Sequence, residues 1–143
     1  MGSEMCIRDS VQALGVREPN DFAAAFAAMT LQLPDGILMV SDSLTLLNRR
    51  RVFEFSAAHR LPAIYEFESL VRDGGLMSYG PDQSGSAERG AALVDRILRG
   101  ASPAEVPFEN PTRFTFAINL KTAKSLGIIV PPALQVQADV VIE

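Results

Sequence analysis

Three short clusters hold most of the side chains that could do chemistry: Ser41-Asp42-Ser43, Glu66-Phe67-Glu68 and Ser78-Tyr79-Gly80. Glu66 and Glu68 are the pair to test for acid–base work. Residues two apart share a face only where a strand runs through both, so they read as one rim or capping carboxylate and one solvated glutamate. His59, followed by Arg60 at the end of a helical stretch, fits favourable placement near a helix C-terminus better than catalysis. The segment from Gly80 to Gly85 has the Gly-x4-Gly spacing of a phosphate loop. Ser86 stands where that loop needs its lysine, so the spacing reads as a flexible turn. No Gly-x-Gly-x-x-Gly follows a strand, and no Gly-x-Ser-x-Gly surrounds a serine. Arg49-Arg50-Arg51 reads as a solvated helix face, with Arg51 on the inner stripe. Cys6 has no base partner to activate it. No nucleophile, base and orienting group come together.

Composition narrows the classes further. The chain has 143 residues, 48% hydrophobic and 21% charged. That is long enough for one apolar core without staples and too apolar for disorder. No tract approaches the ~20 apolar residues of a membrane span. Thirteen basic against seventeen acidic residues give a net charge of −4, which argues against nucleic acid or an anionic membrane as partner. One cysteine and one histidine exclude a disulfide framework and make metal catalysis a poor fit, so no cofactor is expected.

The elements that position the clusters alternate helix and strand. Asn20 or Asp21 can cap a helix with the stripe Phe22, Ala25, Phe26, Met29 and Leu33, closed by Pro34-Asp35-Gly36. Ile37–Val40 is a continuous apolar run, as in a strand buried on both faces. Ser41-Asp42-Ser43 supplies turn and cap chemistry for a long helix ending near Arg60. Its inner stripe is Leu44, Leu47, Phe55 and Ala58. Leu46, Phe53 and Ala57 fall on the other side, either as scattered surface residues or as a contact with another subunit or lobe. Ala63-Ile64-Tyr65 is a second buried strand, and Glu66-Phe67-Glu68 opens a short helix ending at Asp73-Gly74-Gly75. Leu76–Tyr79 is a third strand. A helix from about Ser86 to Arg99 carries the stripe Ala87, Gly90, Ala91, Val94, Ile97 and Leu98. Pro103–Pro111 reads as a loop. Thr112–Asn119 alternates as a half-exposed strand, with Phe114, Phe116 and Ile118 on one face. Asn119 caps a helix over Leu120–Leu126 that Gly127 ends. Pro131-Pro132 then leads into a last short apolar run.

Alternating units of this kind predict an α/β fold: a Rossmann-like, mostly parallel sheet with helices on both faces. Ligands of such sheets bind beyond the carboxyl ends of the strands. The three polar clusters lie there, each leading into a helix N-terminus with free N–H donors.

The N-terminus reads differently. Glu4-Met5-Cys6-Ile7-Arg8-Asp9-Ser10 has charges throughout and no apolar core of a signal peptide, and it looks like adaptor-derived sequence. Residues 1–10 are therefore set apart as a non-native leader, and 11–143 as the folded portion. Val11–Gly15 reads as the tail of a strand.

Several strings together resemble the ABC-transporter substrate-binding proteins of the tryptophan/tyrosine type. They are Leu61-Pro62-Ala63-Ile64-Tyr65-Glu66, Gly74-Gly75-Leu76-Met77-Ser78-Tyr79-Gly80-Pro81, Arg96-Ile97-Leu98-Arg99-Gly100 with Pro103-Ala104, Asn119-Leu120-Lys121-Thr122-Ala123-Lys124-Ser125-Leu126-Gly127, Pro131-Pro132-Ala133-Leu134, and Ala138-Asp139-Val140-Val141-Ile142-Glu143. The resemblance spans residues 11–143. It implies part of a type I periplasmic-binding-protein fold, in which two lobes close on a small solute and deliver it to a membrane permease. On it, 11–143 is the C-terminal portion, and the other lobe and a signal peptide lie outside this chain. It also implies a periplasmic or extracytoplasmic location for the full-length protein, ABC permease subunits as partners, and no membrane insertion by this portion. By the same analogy Ser41, Asp42, Glu66, Ser78 and Tyr79 are the candidate ligand contacts. Where the family often carries an aromatic and then a basic residue after Ser-Tyr-Gly-Pro, this chain has Ala87-Glu88, so ligand identity is not transferred.

The expected function is capture of an amino acid or related small organic solute in an interlobe cleft, without catalysis. The competing reading is a small α/β enzyme or ligand-sensing domain with Glu66 as its strand-end carboxylate, because fold does not dictate function.

Overall fold

The structure is a computed structural model that describes residues 10–106 and 109–143. Cys6 and nearly all of the expected leader lie outside the described residues. The chain divides into two compact units, 1–33 and 34–143.

In the first unit, α1 spans Asp21–Leu31. Asn20 occupies the cap position but its side chain makes no capping bond. The carboxylate of Asp21 instead accepts from the backbone N–H groups of Arg17 and Glu18, at 2.7 and 3.1 Å. Those bonds hold the Asp21 carboxyl below the ordinary aspartate range. Phe22 is buried and its ring tilts against Phe26, while Leu33 lies past the helix end and is exposed. The strand expected at Val11–Gly15 is absent: the segment is irregular and Val11 is exposed. A strand exists through hydrogen bonds to a neighbour, and none of the described residues supplies one.

The second unit is built on a five-stranded sheet in the order β1-β2-β3-β4-β5. The strands are β1 (Ile37–Leu38), β2 (Ala63–Tyr65), β3 (Met77–Pro81), β4 (Phe114–Asn119) and β5 (Val140–Ile142). β1, β2 and β3 run parallel, β4 pairs antiparallel with β3, and β5 runs parallel to β4. The fold is thus the expected Rossmann-like, mostly parallel α/β arrangement, with one antiparallel junction.

Register sorts the strand residues into two faces. One face carries the row Tyr65, Ser78, Ala117 and Val140. Tyr65 packs edge-on against Phe53 at 5.3 Å. The other face carries the row Leu38, Ile64, Met77, Ile118 and Val141. Its Ile118 end is buried in a cluster with Leu76, Ala123, Leu126 and Val130. Its Leu38 end is 68% exposed. The run Ile37–Val40 is therefore not buried on both faces. Met39 is buried, but Leu38 and Val40 are exposed, because β1 lies at a sheet edge whose second face is uncovered.

The helix expected from Ser43 to Arg60 is two helices, α2 (Ser43–Leu47) and α3 (Arg49–His59). Asn48 divides them. Its backbone N–H and its side-chain amide both donate to the Leu44 carbonyl, at 3.1 and 2.9 Å, the local competition by which asparagine interrupts helices. The break shifts the helical phase. Val52, Phe55 and Ser56 turn inward, whereas Leu47 and Ala58 are exposed. Arg60 ends α3 with a φ of 54°.

The next helix, α4 (Glu68–Arg72), packs against β2, β3 and β4. Helix α5 spans Gln83–Leu98 and begins three residues before the expected start. Asp82 caps it by accepting from the Ser84 N–H at 3.1 Å, so Gly85 lies inside a helix and not in a loop. None of its residues is buried, and its apolar stripe, with Leu98 at 81%, is uncovered. After a short 3-10 turn at Pro103–Glu105 and β4, helix α6 (Leu120–Leu126) begins at Asn119, as expected. The Asn119 side chain accepts from the Thr122 N–H at 3.0 Å and donates to the Val71 carbonyl at 3.1 Å. Gly127 closes the helix at a φ of 73°. A further helix, α7 (Pro132–Gln137), was not expected and starts on Pro132 at a first-turn position, where a missing N–H costs nothing. No helix among the described residues is long and apolar enough to cross a membrane.

Candidate functional site

Because β1, β2 and β3 run parallel, their carboxyl ends come out on one edge of the sheet. The first loop is set by a capping box. Asp42 accepts from the Thr45 N–H at 2.7 Å, and Thr45 Oγ1 accepts from the Asp42 N–H at 2.9 Å. The backbone bond from Thr45 holds the Asp42 carboxyl below its ordinary range.

Ser41 and Glu66 meet at this edge. The Ser41 backbone N–H donates to Glu66 Oε2 at 3.3 Å, tying the end of β1 to the end of β2. Gly80 completes the junction, since its backbone lies against Glu66 so closely that a β-carbon would overlap the Glu66 carbonyl oxygen. The hydroxyl of Ser41 is buried without a hydrogen-bond partner among the described residues.

The remaining two expected contacts part company. Ser78 is wholly buried on the Tyr65 face, and its hydroxyl also lacks a partner among the described residues. Tyr79 turns to the opposite face, where it is 59% exposed. Its ring stacks on Phe114 at 5.6 Å and meets Phe116 edge-on at 6.5 Å. Adjacent strand residues cannot face one site with both side chains. The structure therefore brings Ser41 and Glu66 together, turns the Asp42 carboxylate to the cap of α2, and sets Ser78 and Tyr79 on opposite sides of β3.

A shallow cavity of about 190 Å³ opens next to this edge, lined by Glu68, Arg72, Pro81, Asp82, Ser84 and Thr115 among others. Of these residues the sequence singles out Glu68 alone, as one of a pair of carboxylates. The available signal is Pro81-Asp82-Gln83-Ser84, a capped helix start at a strand end. The cavity falls below the ~300 Å³ at which small-molecule pockets begin. Its charges are already paired, Arg72 with Glu68 at 2.7 Å and Arg113 with Asp82 at 3.9 Å. His59 serves the helix end, its Nδ1 lying 3.0 Å from the Phe55 carbonyl oxygen.

The family model for ABC transporter substrate binding proteins matches residues 8–142. The chain belongs to that family. An ABC domain from Streptococcus pneumoniae, solved in complex with L-Trp, is 27% identical to this family member and superposes with a TM-score of 0.80 over 89% of it. A conserved domain protein from Vibrio cholerae has 22% identity and a TM-score of 0.78 over 87% of the chain. A substrate binding protein with adhesive properties from Clostridium difficile, in a ligand-free, open form, has 17% identity and a TM-score of 0.62 over 90%. The last two establish likeness of fold. No curated protein matches this chain. The chain spans 43% of the length of the first of these structures and 42% of the other two.

Proposed function

We propose that this chain forms one wall of the solute site of an ABC importer's substrate-binding protein. The solute is an amino acid or a related small organic molecule, held in a cleft whose opposite wall is another lobe. The family match over residues 8–142 carries the reading. Two features of the sheet support it. The polar ends of β1–β3 share one edge, as ligand sites of parallel sheets require. That edge is open, the cavity beside it shallow and about 190 Å³, which suits half of a cleft better than an enzyme active site.

Within the wall, Ser41 and Glu66 contact solute, and Asp42 shapes the loop that presents Ser41. Tyr79 offers its exposed ring, and Ser78 is reached only if its neighbours move. The full-length protein works outside the cytoplasm and hands its solute to ABC permease subunits. Residues 11–143 form the functional portion.

Because the Streptococcus relative was solved with L-Trp, amino acids come first in the test. Thermal unfolding of the full-length protein, with both walls of the cleft present, is followed with a panel of amino acids, organic acids and sugars. A ligand at 100-fold over its Kd stabilises the native state by about 2.7 kcal/mol, so a rising unfolding temperature is expected for at least one class. A flat response across the panel would overturn the proposal.

A further inference from the structure

The orientation of α5 is not set by packing. A helix is ordinarily fixed on its neighbours by the apolar face it buries, yet no residue of Gln83–Leu98 is buried. Polar ties must therefore hold the angle at which α5 leaves the sheet. Two chain segments join it to the sheet, and they run side by side. The ladder of β3 with β4 ends where Pro81 lies opposite Phe114. One residue further out, the Asp82 N–H donates to the Arg113 carbonyl at 3.0 Å, and the Asp82 carboxylate lies 3.9 Å from the Arg113 guanidinium. Both ties grip the root of α5 and leave its body free to swing.

Arg89, about two turns beyond that cap, reaches across. Its Nη1 donates to Thr112 Oγ1 at 2.6 Å, and its Nε lies 3.6 Å from Glu109 Oε2. Among the described residues, these are the hydrogen bond and the ion pair that run from the body of α5 to another segment. The two arms are unequal. The pair with Glu109 is half-exposed on both sides, so water and salt weaken it. A short hydrogen bond from a charged donor is the stronger arm. One planar guanidinium serves both partners at once, which a single ammonium on a flexible stem does not.

We infer that Arg89 is a positioning residue: it locks α5 to the segment that returns into β4, so that the helix and both its connections turn as one body. The lock goes beyond the solute-binding function proposed above and stands whether or not a solute binds. It bears on that function because Gln83 and Ser84, at the start of α5, line the cavity beside the strand ends. The angle of α5 thus sets that lip of the wall.

Pulsed electron–electron double resonance reads that angle in the full-length protein, with spin labels at Arg99 and Lys124 and other thiols removed. Both positions are exposed, one at the end of α5 and one on α6. Arg89→Ala should broaden the distance distribution and add distances absent from the parent, while the urea midpoint stays unchanged. Thr112→Val, which removes the stronger arm, should broaden it nearly as far. Arg89→Lys, which keeps the charge without the fork, should broaden it less than Arg89→Ala does. An unchanged distribution in Arg89→Ala would overturn the lock. So would a broadening that comes only with a lowered urea midpoint, since that is general loosening and not the loss of a tie. Should Arg89→Ala fail to fold, Thr112→Val decides by the same two outcomes.

Discussion

Gly80 shows how a single absent side chain sets the strand-end geometry. A β-carbon there would overlap the Glu66 carbonyl oxygen and lie 2.9 Å from its carbonyl carbon. Those are backbone atoms, which cannot swing aside as a side chain can. Gly80→Ala must therefore push β3 away from the end of β2, disturbing the residue that accepts the Ser41 N–H. Overpacking of this kind costs about 1–3 kcal/mol, and urea unfolding should register a loss in that range. A variant as stable as the parent would show that the two strand ends are not pressed together. At this scale the sequence was partly legible. Ser41, Glu66 and Tyr79 stood out as polar or aromatic residues at strand ends. That Ser41 and Glu66 touch, 25 positions apart, was not visible, because register between parallel strands depends on the helices that join them.

The helices show where local signals suffice and where they fail. Asn119 and Gly127 bound α6 as expected, because a cap side chain and a left-handed glycine act within one turn. Asn48 carried the same chemistry in the middle of an apolar pattern, and there its competition with the backbone divided a helix that periodicity alone makes continuous. The α5 stripe is the opposite case. Its spacing is right for a buried face, yet Val94 and Leu98 are 54% and 81% exposed, since amphipathicity says which face would be buried and not what covers it. Two substitutions separate these conditions. Leu98→Lys on α5 should change stability by no more than about 0.5 kcal/mol, as at open surface sites. Leu70→Ala in α4, where the side chain is 2% exposed, should cost about 2–5 kcal/mol. Chemical denaturation of both distinguishes them, and a large loss from Leu98→Lys would mean that the stripe is covered in solution.

For the molecule as a whole, each compact unit contains an aspartate whose carboxyl is depressed by backbone N–H donors. Asp21 accepts from Arg17 and Glu18, and Asp42 accepts from Thr45. A carboxyl with a lower folded than unfolded pKa binds its proton less readily in the native state. Its stabilisation is complete above the unfolded value of about 3.9 and is lost as pH falls through the lower folded value. Unfolding temperature should thus decline in acid from about pH 4 downward. In a variant carrying both Asp21→Asn and Asp42→Asn the decline should be shallower. Thermal melts across that range make the comparison, and parallel curves for the two proteins would contradict it.

The order of α1, β1, β2, α4, β3, α5, β4 and α6, the residues that bound α6 and the polar strand ends were determined by sequence alone. Each rests on interactions within a few residues: hydrophobic period, a capping side chain, a glycine free to adopt positive φ. The family resemblance belongs with them, carried by short strings such as Gly75-Leu76-Met77-Ser78-Tyr79-Gly80-Pro81. Tertiary structure alone decided the antiparallel junction of β3 with β4, the opposite facing of Ser78 and Tyr79, and the exposure of one side of β1. It also placed the Glu66 carboxylate against the Ser41 backbone N–H. These depend on contacts between distant segments, where the free energy of a residue is set by what packs or fails to pack against it.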